Sequence, residues 1–115
     1  MLAVGGHMLG SLDPVMVRLT TGLCGGIGCT YAEVCGALSG GVLVIGALHG
    51  RGTVHEDDQR AFQLASRYRQ RFAAEFGTTL CGPLRDQMRS PAGLGSCSLV
   101  AERAALILLQ VLDDA

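Results

Sequence analysis

The chain has 115 residues, of which 49% are hydrophobic, with a net charge of −1 and a mean hydropathy of +0.37. That length suits a single domain, residues 1–115, and the near-neutral charge gives no footing for nucleic acid or an anionic membrane surface. The longest apolar run, about residues 37–48, is shorter than the roughly 20 residues a bilayer span needs, and the start lacks the charged n-region of a secretory signal, so a soluble, cytoplasmic protein is expected.

In chain order, Met1 to Leu9 is apolar but interrupted by Gly5 and Gly6, and reads as a weak helix or the back half of a longer one. Ser11 or Asp13 can cap a short helix with Pro14 at its first position, running from Val15 to Leu23 with Val15, Val17, Leu19 and Leu23 as its apolar residues. Gly25, Gly26 and Gly28 then make a tight turn. No Gly-Lys-Ser/Thr follows them and no strand precedes them, which sets aside a phosphate or dinucleotide loop. Residues 30–50 read as a glycine-rich central helix. Thr30 is its cap, with Glu33 completing a capping box. Ala32, Gly36 and Gly40 form one small-residue stripe, and Ala37 and Gly41 form a second, along which neighbouring helices approach closely. Each interior glycine costs up to about 1 kcal/mol against alanine, so close packing must compensate. Cys35 and Ser39 share a face, which would let the hydroxyl reach the thiol.

Residues 50–53 read as a loop, flanked by His49 and His55. Residues 57–76 are the clearest amphipathic helix, with Phe62, Ala65, Tyr68, Phe72 and Phe76 at helical spacing. Glu56, Asp57 and Asp58 lie where negative charge suits a helix start, and Gly77 ends the helix. Arg60, Arg67, Arg69 and Arg71 read as a solvated face. Thr78 or Thr79 can cap a short helix with Cys81 in its first turn. A helix start lowers a thiol pKa below about 8.5, and Arg85, one turn on, adds to this. After a loop over residues 89–95, Ser96 caps a last helix that begins at Cys97, with Leu99, Val100, Ala104, Ile107 and Leu108 as its apolar face. The expected fold is all-α: a compact bundle of four to five helices around residues 30–50. Its long apolar stripes suit a homodimer.

The five cysteines carry the chemistry. An odd number in a leaderless chain argues against a disulfide framework, and the spacings match no zinc ribbon. On spacing alone Cys35 reads as a small buried apolar residue. Thiolates also select soft metals, so Cys24, Cys29, Cys35 and Cys81 stand as an alternative ligand set for a metal or iron–sulfur cluster. No Ser-His-Asp or His-Glu-x-x-His arrangement appears.

Cys35-Gly36-Ala37-Leu38-Ser39-Gly40 resembles the Cys-Gly-Ala-x-x-Gly signature of the C_GCAxxG_C_C family of redox-active proteins. Gly25-Gly26-Ile27-Gly28 resembles the family's glycine loop, the segment from Phe76 to Cys81 its second cysteine segment, and Cys97 its further cysteine. The resemblance implies a thiol-based redox protein in which Cys35 pairs with Cys81 or Cys97, Cys81 attacking and Cys35 resolving. It also implies an earlier helix bearing another cysteine, which has no counterpart in this sequence. The redox partner is unnamed by these residues. A third expectation is a non-catalytic helical accessory protein linked to a transporter component, as the resemblance suggests for some members.

Overall fold

The computed structural model describes residues 1–91, 93 and 95–114. Positions 92 and 94 of the expected loop lie outside these. Among the described residues the chain is helical and has no strand. Its elements are α1 (Leu2–Leu9), α2 (Pro14–Leu19), a short 3-10 turn (Thr21–Leu23), α3 (Gly36–His49), α4 (Gln59–Phe76), α5 (Cys81–Arg89) and α6 (Cys97–Asp113). None of the described helices is long and apolar enough to cross a membrane.

Local signals explain several of the helix ends. The Asp13 side chain accepts from the Val15 amide and Pro14 opens α2. Ser96 accepts from the Ser98 amide and opens α6 at Cys97. Asp57 accepts from the Gln59 amide at the start of α4, and Gly77 closes that helix at φ 75°, where a side chain would be strained. The start of α3 differs from expectation. It begins at Gly36, six residues after Thr30, and Cys35 is its N-cap. Thr30 does not cap it: its hydroxyl donates to the carbonyls of Gly26 and Ile27. Tyr31, at φ 59°, is incompatible with a right-handed helix, so Ala32 falls outside the stripe it was expected to join. The Ser39 hydroxyl turns to the Cys35 and Gly36 carbonyls rather than to the thiol.

α3, α4 and α6 pack on one another, and α1 lies against α3 and α6. The core runs along the facing stripes: Leu38, Val44 and Ile45 of α3; Leu64, Tyr68, Phe72 and Phe76 of α4; Val100, Ala104, Ile107, Leu108 and Val111 of α6. Phe62 is 60% exposed, and Leu64 takes the core position instead. Two residues of helix turn the side chain by about 200°, so the two cannot share the face that Tyr68, Phe72 and Phe76 define.

Two glycines of α3 behave oppositely. A Cβ at Gly41 would stand 2.5 Å from Tyr68 Cε2. The hydroxyl edge of the ring lies against the helix backbone there, and its hydroxyl donates to the Ala37 carbonyl at 3.1 Å. The ring is buried and tethered, so it cannot move aside. A Cβ at Gly46 would meet nothing within 4 Å. Urea unfolding should therefore separate the two. Gly41→Ala should lose about 1–2 kcal/mol, overpacking outweighing the gain in helix propensity. Gly46→Ala should gain about 0.5–1 kcal/mol. Equal effects at both sites would show that packing against Tyr68 is not what requires Gly41.

Candidate functional site

Residues 25–31 carry a left-handed stretch. Gly25, Gly26, Ile27, Gly28 and Cys29 all have φ between 57° and 69°, and Tyr31 follows at 59°. Three of these are not glycine, so the stretch holds strain that its surroundings must offset. Backbone bonds close it: Gly28 N–H to Gly22 O, Cys29 N–H to Cys24 O and Tyr31 N–H to Gly25 O. The chain then leaves as a short extended segment. Val34 forms an antiparallel bridge with Leu80, in which the Cys35 amide donates to Thr79 O at 2.8 Å and the Cys81 amide donates to Glu33 O at 2.9 Å. Immediately after the bridge each segment becomes a helix, α3 on one side and α5 on the other.

Glycine lets the surrounding backbone close on these cysteines. Gly26 is buried, and a Cβ there would stand 2.5 Å from Cys81 Cβ. One at Gly36 would meet the Leu23 carbonyl at 3.1 Å and Cys24 Cα at 3.5 Å, and one at Gly82 would meet the Tyr31 carbonyl at 2.8 Å. At Gly40 the neighbour would be the Met1 backbone, at 3.4 Å. Gly28 has open space, and only its positive φ requires glycine.

The result is a cavity of about 550 Å³ walled by Cys24, Cys35, Cys81 and Cys97, with Tyr31, Tyr68 and Arg85 among its polar lining. Ala37 and Gly40 also line it, and apolar residues of α1, α5 and α6 complete it. Four of the five cysteines therefore share one space, all as free thiols. Cys29 does not line it and sits beside Gly25. Cys35 and Cys81 are half-buried, while Cys24, Cys29 and Cys97 are exposed. Among the described residues, no three His, Cys, Asp or Glu stand close enough together to hold a metal ion. His49 and His55 lie away from the cavity. Sequence reasoning missed Tyr31 and took Tyr68 for core alone. Neither carries a local signal, since both reach the cavity through tertiary packing.

Three of the four thiols stand at helix starts: Cys35 as the N-cap of α3, Cys81 and Cys97 as the first residues of α5 and α6. Helix starts favour a thiolate, yet Cys35 and Cys81 are both shifted the other way. Burial pushes the Cys35 thiol up; the Ala37 and Leu38 amides pull it back, and negative charge at Cys97 or Cys24 raises it further. Burial also pushes Cys81 up, reinforced by charge on Cys35 and Cys97, with Arg85 opposing. The lowered pKa expected for Cys81 is thus reversed, because desolvation and neighbouring thiols outweigh one arginine. Burial also raises the Tyr68 phenol, with Cys35 adding to it.

These shifts set the sign of a pH effect. A thiol whose pKa is raised by folding holds its proton more tightly in the folded chain. Its stabilising contribution is full below the unfolded value, about 8.5, and is lost as pH rises through the folded value. Unfolding free energy should therefore fall from about pH 8.5 upward. The Cys35→Ser, Cys81→Ser double variant should flatten that fall, as read by denaturant titrations across pH. An unchanged slope in the double variant would show that these thiols are not its source.

No curated protein and no solved structure matches the chain. Residues 1–111 are matched by the family described as "Putative redox-active protein (C_GCAxxG_C_C)", and the chain belongs to that family.

Proposed function

We propose that the protein is a thiol-based redox protein in which Cys35 and Cys81 cycle between dithiol and disulfide. The observation that carries this reading is the Val34–Leu80 bridge. In an antiparallel pair, residues that directly follow the bridged ones lie on the same face, diagonally across from each other. Such neighbours stand about 7–8 Å apart. A disulfide asks for Cα atoms within about 7 Å, so closure needs only a small shift at two helix starts. Both thiols also face one cavity, where a substrate disulfide would meet them.

Cys81 is the better attacking group, since Arg85 favours its thiolate, whereas Cys35 has no such cation. The Cys81 thiolate attacks one sulfur of the substrate disulfide, that S–S bond breaks, and one thiolate leaves and takes up a proton. The Cys35 thiolate then attacks Cys81 Sγ, forming the internal disulfide and releasing the second thiol. The substrate gains two electrons and two protons; the protein loses them. Cys97 also lines the cavity but is exposed and lies outside the bridged segments, so it takes no part in this pair. A reducing cytoplasm would return the dithiol.

Intact mass of the anaerobically purified chain, taken before and after a mild disulfide oxidant, tests this. The expected result is loss of two hydrogen atoms, reversible by dithiothreitol, with peptide mapping to Cys35–Cys81. Cys29→Ser should leave it unchanged, while Cys35→Ser and Cys81→Ser should each abolish it. A disulfide that maps elsewhere, or that survives both substitutions, would refute the pairing.

A further inference from the structure

Among the described residues, Arg85 is the one charged side chain that lines the thiol cavity, which Met1 also borders, and the lining holds no aspartate or glutamate. It stands one helical turn after Cys81, on the same face of α5. Its guanidinium carbon lies 4.2 Å from the centroid of the Tyr31 ring. Arg51 and Arg103 each meet a carboxylate, Asp58 and Glu75, but Arg85 meets none among the described residues. A guanidinium stacked on an aromatic face is held flat, and its N–H edge stays available. That edge is shaped for two parallel bonds to a carboxylate. Beyond it the wall is apolar, with Leu84, Val100, Ala101 and Ala104. The volume, about 550 Å³, lies within the roughly 300–1,000 Å³ typical of small-molecule sites.

We propose that the cavity takes low-molecular-weight disulfides that bear a carboxylate, and that Arg85 docks the carboxylate so that the disulfide sulfur reaches Cys81. This rests on the thiol-redox reading above and adds a substrate class to it. The chemistry is the exchange already balanced: the Cys81 thiolate bonds to one substrate sulfur, the substrate S–S bond breaks, and the departing thiolate is protonated. Arg85 takes no part in bond-making. It supplies the charge that selects and orients the incoming molecule, and the three helix starts at Cys35, Cys81 and Cys97 place positive backbone dipoles around the same space.

The test uses three disulfides of graded charge: dithiodiglycolate (anionic), hydroxyethyl disulfide (neutral) and cystamine (cationic). Each is reacted with the reduced full chain carrying Cys35→Ser, so that the mixed disulfide on Cys81 accumulates and is followed by the mass of the Cys81 peptide, apart from adducts on the exposed Cys24, Cys29 and Cys97. Each rate is divided by that of the same disulfide with mercaptoethanol, which removes intrinsic reactivity. At low salt the normalised rate should be about tenfold higher for the anionic than for the neutral compound, the low end of the range for focused charge, and lowest for the cationic one. High salt should compress the order. Adding Arg85→Met should bring the three rates together, and Arg85→Lys should keep the order. Should Arg85→Met fail to fold by circular dichroism, the salt dependence of the arginine-bearing chain and the Arg85→Lys variant decide. Equal normalised rates, or an order indifferent to Arg85→Met, would overturn the docking role. The two readings separate cleanly. Charge-ordered mixed disulfide, with no internal disulfide when Cys35 is restored, sinks the cycling and leaves the docking. Internal disulfide formed without charge order sinks the docking alone. No reaction at any thiol sinks both.

Discussion

Two backbone hydrogen bonds hold the site together: Cys35 N–H to Thr79 O and Cys81 N–H to Glu33 O. Each amide would otherwise be an unpaired donor at a helix start. Paired with each other's strand segments, they stitch the first turn of α3 to the first turn of α5 across 46 residues of chain. A bond of this kind contributes only about 1 kcal/mol net, but an orphaned donor costs more than that. The pair therefore fixes register: slipping by one residue would turn both cysteines to the opposite face.

Close approach follows from that register. With Cys81 pinned opposite Glu33, the glycine turn has to run directly over its side chain, and only a residue without Cβ fits at position 26. The same logic holds at Gly36, where the chain around Leu23 and Cys24 crosses the first turn of α3. The positive φ values of Ile27, Cys29 and Tyr31 are tolerated because this crossing leaves the loop little choice of path. Tyr31 is then delivered beneath Arg85. The glycines around the cavity are thus consequences of bringing four thiol-bearing segments to one place, and Gly41 does similar work for the Tyr68 ring.

How much of this was legible in the sequence depends on the range of the interaction. Asp13-Pro14, Ser96 and Gly77 act on residues within one turn, and the ends they set were readable. The start of α3 was not. Thr30 and Glu33 form a plausible capping box in isolation, but residues 33–35 take their bonds from 79–81, and no local pattern announces a partner so distant. The α4 stripe shows an intermediate case: Phe62 and Leu64 are both apolar, and the three buried residues farther along the helix decide between them. The all-helical class was legible because it rests on many such local signals. The cavity was legible only through the family resemblance, which grouped Cys35, Cys81 and Cys97 but gave no place to Cys24, Tyr31 or Tyr68.

The electrostatics of the site show why local reading of a thiol misleads. A cysteine at a helix start beside an arginine should ionise early, and for Cys81 both features are present. What reverses the outcome is burial first, and then that the neighbours are also thiols. Charge on Cys97 or Cys24 raises both Cys35 and Cys81, and charge on Cys35 raises Cys81 further, so a thiolate nearby makes either one harder to ionise. Helix starts and Arg85 favour a thiolate and burial opposes it; a second thiolate would also meet the first. In the exchange proposed above, this favours a single thiolate as the attacking group while a second thiol keeps its proton until the resolving step. Once Cys81 is consumed in a mixed disulfide, its charge is gone and the obstacle to ionising Cys35 is reduced. The proposed order, attack and then resolution, is thus supported by the same clustering that raises both thiols.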